Sequence, residues 1–174
     1  MVSQIGIVVI FFIFIIVKIK NYLRNPDLTL YGPDKKPYLK RWWLIPKGRF
    51  GFNIYLHQFL SSDEDRALHS HPWASLSIIL NRPYLEHLPK DYGTWIQNKD
   101  RREIVKKRYP LIPIYRGANN IHRIEMIDEL KPVWTIFMTG PKIQEWGFYC
   151  PKGFKHHKEF LNVDQNSKGI GCGD

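Results

Sequence analysis

Short strand-like runs separated by turn-forming residues fill the chain beyond its apolar N-terminus. Apolar, β-branched and aromatic residues concentrate in these runs, and no stretch after residue 24 has a convincing long helical period. The clearest runs are 53–59, 75–80, 112–115, 122–127 and 133–139. A chain of 174 residues is long enough for one domain with a real core. We therefore predict an all-β sandwich or barrel over residues 41–160.

The first 24 residues predict a single membrane anchor. Residues 5–17 form an unbroken apolar stretch with one glycine, slightly short of the roughly 20 residues that a spanning helix needs. Lys18 and Lys20 follow it and no basic residue precedes it, which is atypical of a cleaved signal peptide. The positive-inside rule then places the globular domain on the cytoplasmic side of a single-pass protein. A buried strand or helix is the alternative for this stretch.

Two flanking segments are predicted to lack regular structure. Residues 25–40 are rich in proline, glycine and asparagine, which is typical of a linker that holds a domain close to a membrane. Residues 161–174 contain several glycines and predict a flexible tail.

Positive charge suggests a membrane partner and not a nucleic acid. The formal net charge is +10, and basic residues crowd the segment just after the apolar stretch, where they would attract anionic lipid headgroups. A second basic cluster at 99–108 is explained by a solvated surface. No nucleic-acid-binding motif accompanies either cluster, so a nucleic-acid partner is not expected.

Cysteine usage indicates a reducing compartment. Cys150 and Cys172 are the only cysteines, and neither their number nor their spacing suggests a disulfide framework or a cysteine-based zinc site.

Three histidines predict a metal site. His69 and His71 are one residue apart, so on an extended strand their side chains point to the same side. His122, from a distant strand, would complete a face of three imidazoles, and imidazole suits iron, zinc, copper and nickel. The alternative is three strand histidines satisfied by ordinary hydrogen bonds.

These residues resemble the two metal-binding motifs of the cupin superfamily. His69-Ser70-His71 resembles the first motif, and the segment from Pro113 through Gly117 to His122 resembles the second. The resemblance covers about residues 40–150. The residues around the first motif resemble a phage and bacterial cupin subgroup. The resemblance implies a double-stranded β-helix, or jelly-roll barrel. The glutamate that usually follows the first motif is absent, since Ser75 and Leu76 stand there. The remaining three-histidine set resembles the iron centres of thiol dioxygenases.

Further site residues follow from position in the sequence. Tyr115 and Arg116 precede the turn into His122, so they are candidates to act on the substrate, with an arginine holding an anionic group. His57, Ser75 and Glu86 are candidates to support the ligands. Trp73 and Trp134 are candidate pocket-wall residues, with ordinary core packing as the alternative. The remaining expectations are that Arg123 points away from the metal, that His87 lies in a loop, and that His156 and His157 are surface residues.

Three functions remain open at this stage. The first is a three-histidine Fe(II) oxygenase acting on a small substrate. The second is a zinc-dependent, non-redox enzyme of the same fold. The third is a non-catalytic, membrane-tethered binding module, because some cupins have lost ligands. The resemblance also implies pairing through edge strands, as a homodimer.

Overall fold

Strands are the main regular secondary structure of this chain. The structure is a computed structural model that describes residues 21–32, 36–48, 50–63, 67–97, 99–161 and 171–172. The strands of these residues are β1 Leu28–Tyr31, β2 Pro37–Trp43, β3 Asn53–Phe59, β4 Leu68–His69, β5 Ser75–Ile79, β6 Tyr84–Pro89, β7 Glu103–Arg108, β8 Pro113–Arg116, β9 Arg123–Met126, β10 Val133–Thr139, β11 Gly147–Cys150 and β12 Gly153–His156. Two short helices are Tyr92–Ile96 and His157–Leu161. The predicted all-β class is confirmed.

The strands form three antiparallel sheets around one cavity. Six strands pair in the order β1-β2-β3-β10-β5-β8, and two three-stranded sheets have the orders β7-β6-β9 and β12-β11-β4. Leu39, Phe59 and Val133 of the large sheet pack against Ile124 and Met126 of β9 in one buried cluster. The six-stranded sheet therefore faces β9, as in a two-layered β-barrel or sandwich.

The register determines which side chains of the large sheet point inward. Arg41 of β2 lies opposite His57 of β3, and His57 lies opposite Thr135 of β10. In the next inward-facing row, Tyr55 lies opposite Phe137. Because side chains alternate along a strand, the residues between these positions point to the outer face. This inward row of mixed polar and aromatic groups forms one wall of the cavity.

The predicted linker over 25–40 is wrong. Residues 28–31 form β1, which pairs with β2 so that Leu28 lies opposite Arg41 and Leu30 opposite Leu39. Alternating leucines give this segment an inward face, and the turn-forming residues around it bound a strand instead of a linker. The domain therefore begins before residue 41.

The predicted membrane anchor falls mostly on residues 1–20, which lie outside the described residues, and it stays a prediction. Residues 21–24 are helical, and the carbonyl of Tyr22 accepts a hydrogen bond from Trp42 Nε1 at 2.9 Å. Within the described part of the chain, no helix has the length and apolar character needed to cross a membrane.

The two cysteines are bonded to each other, although the sequence does not suggest a disulfide framework. Cys150, at the end of β11, forms a disulfide with Cys172. Both are buried in a cluster with Phe148 and Phe160, so the fold brings together two residues that their sequence spacing does not relate. Most of the predicted flexible tail lies outside the described residues, but at Cys172 it is bonded to the domain.

Gly147 is required where β11 approaches β12. A Cβ at this position would overlap the carbonyl oxygen of Lys155 and lie 3.0 Å from Cα of His156. We expect Gly147→Ala to lower the free energy of unfolding by about 1–3 kcal/mol, because both obstructing groups are backbone. Urea denaturation would measure the loss. Gly140→Ala is the control, since its Cβ would meet only Ala74 O at 3.7 Å; equal stability of the two variants would contradict the prediction.

Candidate metal centre

The structure brings His69, His71 and His122 together. His69 ends β4 and His122 precedes β9, and an antiparallel bridge joins them: the amide of His69 donates to His122 O at 2.9 Å, and the amide of His122 donates to His69 O at 3.0 Å. One nitrogen from each of the three rings lies within 4.8 Å of the others. The predicted spacing of the motif therefore produces a convergent set of imidazoles.

Neighbouring residues fix the backbone that carries the histidines. The side-chain amide of Gln144 donates to the carbonyls of both His71 and Ala118 at 2.8 Å, so it joins the first motif to the turn before His122. Ser70, between the first two histidines, is buried, and its amide donates to Gly147 O at 3.0 Å. Both contacts hold the loop after β4 against the rest of the domain.

Glu86 determines the orientation and tautomer of His122. Its Oε1 lies 2.8 Å from His122 Nδ1, and an ionised carboxylate accepts only, so Nδ1 carries the proton. His122 Nε2 then carries a lone pair, and it lies within hydrogen-bond distance of His71 Nε2, at 2.8 Å. Such a carboxylate–histidine pair is the usual support of a metal-binding imidazole.

The three histidines are held neutral, which is the form that binds metal. Burial lowers the pKa of His69 to about 4 and the pKa of His71 well below its ordinary value. Burial also lowers the pKa of His122, although Glu86 partly opposes this. In addition, His69 Nδ1 is buried and has no hydrogen-bond partner among the residues that the structure describes. Neutral rings, close nitrogens and one unpaired buried nitrogen fit a metal ion with three histidine ligands.

Glu86 is the centre of a buried ionic network. Arg116 Nε donates to its Oε1 at 2.6 Å and Arg108 Nε to its Oε2 at 2.5 Å, while Arg116 also donates to Tyr84 Oη at 3.0 Å. Burial alone would raise the pKa of Glu86, but the hydrogen bond from His122 and the charge of Arg116 outweigh it and lower that pKa. Glu86 therefore remains ionised although it is fully buried.

The two candidate catalytic residues do not have the expected surroundings. Ile114 and Arg116 alternate with Tyr115 along β8, so Tyr115 points outward and is 73% exposed. Arg116 borders the cavity, but its guanidinium is bonded to Glu86 and Tyr84. Neither side chain is therefore available to hold a substrate in the way that the sequence suggested.

The other predicted residues are divided between the cavity and its surroundings. Trp73 and His57 line the cavity, and the ring of His57 packs against the rings of Tyr55 and Phe137. Trp134 does not line it, because it alternates with inward-facing Val133 and Thr135. It stacks instead on Trp42, with ring centroids 5.5 Å apart. Ser75 is buried opposite Arg116 in the register but is not among the cavity-lining residues.

The cavity beside the histidines has a volume of about 330 Å³. This is near the lower end for small-molecule sites. Its apolar walls include Leu39, Phe59, Trp73, Ile124, Phe137 and Trp146, and its polar groups include Arg41, Asp63 and Ser77. Arg41 is not among the residues that the sequence predicts for the site, because it belongs to the basic cluster assigned to lipid headgroups. Its alternation with Leu39 on β2 is the signal that could have placed it inside.

Histidines outside the triad have other surroundings. His87 was expected in a loop, but it lies on β6, with Nδ1 2.9 Å from Glu103 and Nε2 2.7 Å from Glu125. Its inclusion in the alternating run after Pro83 is the signal that was missed. Arg123 contacts His87 Nδ1 at 2.9 Å and so points away from the triad, as predicted.

A second group of potential ligands lies near the surface. Atoms of Glu145, His156 and His157 also lie within 4.8 Å of one another. Glu145 is exposed and forms an ion pair with Lys142, and the ring of His157 stacks on Trp146 with centroids 4.5 Å apart. Because this group is partly exposed, a variant within it serves as a control for variants of the buried triad.

Comparison with known proteins identifies the fold. No protein-family model and no curated protein matches the chain. Among solved structures, DMSP lyase DddQ from Ruegeria pomeroyi has a TM-score of 0.50 at 13% identity, over 74% of this chain and 60% of that one. An Fe(II) form of HppE has a TM-score of 0.48 at 10% identity, over 64% and 54% of the two chains. A cupin superfamily protein from Desulfitobacterium hafniense has a TM-score of 0.41 at 14% identity, over 60% and 78%.

The likeness is one of fold. The chain spans just over half the length of HppE and 60% of the lyase. At 13% identity the likeness to the lyase concerns the fold alone and carries no information on substrate. Together with the strand order, it shows that this chain shares the all-β fold of the lyase.

Proposed function

We propose that this chain is a metal-dependent, cupin-like enzyme in which His69, His71 and His122 hold a divalent transition metal, with Fe(II) the favoured ion. The observation that carries the proposal is the convergence of three neutral imidazoles within 4.8 Å at the edge of a cavity. An Fe(II) ion with three histidine ligands would have vacant positions at which substrate and dioxygen can react. The resulting activity would be that of an oxygenase acting on a small molecule.

The residues of the chain have separate tasks in this proposal. Glu86 keeps the proton of His122 on Nδ1 and so directs the Nε2 lone pair towards the other two rings. Gln144 fixes the loop that carries His71. Trp73, Phe137 and Trp146 enclose the substrate and reduce the access of water.

Metal retention tests the proposal directly. We expect His71→Ala to lose bound metal, because it removes one of three ligands, whereas the wild-type protein purified without chelators contains about one ion per chain. Elemental analysis would measure both. His156→Ala is the matched control, since it removes a histidine from the partly exposed second group. Equal metal content in His71→Ala and wild type would contradict the ligand assignment.

The identity of the metal decides between two forms of the enzyme. Iron accompanied by oxygen uptake in the presence of substrate supports the oxygenase. Stoichiometric zinc without oxygen uptake supports the non-redox alternative, since neutral imidazole suits both ions. A protein that binds neither ion would instead be the non-catalytic binding module.

A further inference from the structure

Arg41 is a cation without an anionic partner in the described structure. Arg41 and Arg116 are the cationic residues that line the cavity in the described part of the chain. Arg116 is neutralised by Glu86 at 2.6 Å, whereas Arg41 has no ion pair with any described residue. Its Nε donates to His57 Nε2 at 2.8 Å. The terminal nitrogens of its guanidinium therefore have no protein acceptor among the described residues.

Packing holds the Arg41 guanidinium in place. Its central carbon lies 4.5 Å from the centroid of the Tyr55 ring, which is the distance of a cation–π contact. The ring of His57, which accepts a hydrogen bond from its Nε, contacts the rings of Tyr55 and Phe137 with centroids 5.5 and 5.0 Å away. The cation–π contact with Tyr55 and the hydrogen bond to His57 therefore already orient the Arg41 guanidinium, as a substrate-binding arginine requires.

The carboxylate that borders the cavity does not neutralise Arg41. Among the described lining residues this is Asp63, whose Oδ1 accepts from Tyr38 Oη and whose Oδ2 accepts from the amide of Ile124 at 2.6 Å. A partly buried guanidinium without a counter-ion is costly, and burial lowers the pKa of Arg41. An anion in the cavity would offset this cost.

Arg41 and the histidine triad border the same small space. The ring of Phe137 stacks on His57 and lies 6.5 Å from the ring of His71, measured between centroids. The cavity is lined by Arg41 together with His69, His71 and His122. A small molecule bound to Arg41 would thus extend over Phe137 towards the triad.

We propose that the substrate of this site is a small oxyanion-bearing molecule, a carboxylate in the first instance, whose anionic group binds the terminal nitrogens of Arg41. The planar fork of a guanidinium matches a carboxylate with two parallel hydrogen bonds. This inference rests on the proposed function for the reaction, but the anion site itself depends on Arg41 and not on a bound metal.

Binding to the metal-free protein tests the inference. The full-length chain, treated with chelator, would be titrated by calorimetry and ligand-observed NMR with butyrate, methylphosphonate and the neutral butyramide. We expect butyrate to bind at least tenfold more tightly than butyramide. Arg41→Met should abolish this preference, while Arg41→Lys keeps the charge without the fork and retains part of it. Arg82→Met, at an exposed arginine, is the control and should bind like wild type.

Circular dichroism and thermal melts would verify that the Arg41 variants are folded. Undiminished butyrate preference in folded Arg41→Met, or no preference for either anion in wild type, would overturn the inference. Methylphosphonate preferred over butyrate would support an oxyanion site with a different head group. The same titration on His71→Ala separates the two proposals: lost metal with retained Arg41-dependent binding supports both, whereas retained metal with retained binding contradicts the metal assignment alone.

Discussion

Replacing Glu86 by alanine is expected to lower the free energy of unfolding by about 3–5 kcal/mol, the cost of removing one partner from a buried ion pair. The variant would leave the buried guanidinium of Arg116 without its carboxylate and remove the acceptor of His122 Nδ1. The large effect comes from the uncompensated charge that remains, because the intact pair itself contributes little net stability.

Urea denaturation of Glu86→Ala against wild type would measure this loss. Glu159→Ala is the control: its carboxylate is 57% exposed and lies 3.9 Å from Lys155, so we expect almost no change. Glu86→Gln keeps an acceptor for His122 Nδ1 but removes the negative charge. We expect it to weaken metal binding by about 10–100-fold, because a neutral amide supports the basicity of the His122 imidazole less than a carboxylate does. A Glu86→Ala protein as stable as Glu159→Ala would show that the network is not needed for folding.

Much of the fold could be predicted because strand periodicity is local. The runs at 53–59 and 133–139 coincide with β3 and β10, and alternation placed His69 and His71 on one side. The error over 25–40 arose because proline and glycine mark turns but do not show whether a strand lies between them. β1 is stable only through its pairing with β2, and that contact is tertiary.

The site could be predicted only in part because alternation does not say which face of a strand is inside. Val133 and Trp134 are both residue types that are common in cores. The pairing of β10 with β3 and β5 determines that Val133 is the one that points inward. Arg116 borders the cavity, but its guanidinium is bonded to Glu86, which lies on a strand that nothing in the sequence links to it. Arg41 was not predicted as a cavity residue because alternation along β2 does not show which face of that strand is inside.

Removing the disulfide is expected to lower the free energy of unfolding by about 3 kcal/mol, from the chain entropy of the 22-residue loop that it closes. Cys172→Ala makes this change with little new polarity at a buried position. The pairing also bears on the predicted cytoplasmic location, because disulfides persist mainly in oxidising compartments.

Urea denaturation of Cys172→Ala, wild type and reduced wild type would test the effect. We expect Cys172→Ala and reduced wild type to be similarly destabilised, because both lack the cross-link. A Cys150→Ala variant should have the same stability as these two. Alkylation of the protein as isolated, followed by mass spectrometry, would count free thiols. Two free thiols in the folded wild type, with a stability equal to that of Cys172→Ala, would show that the bond is not formed. Its absence would agree with the reducing compartment expected from the sequence, whereas an intact bond would agree with an oxidising one.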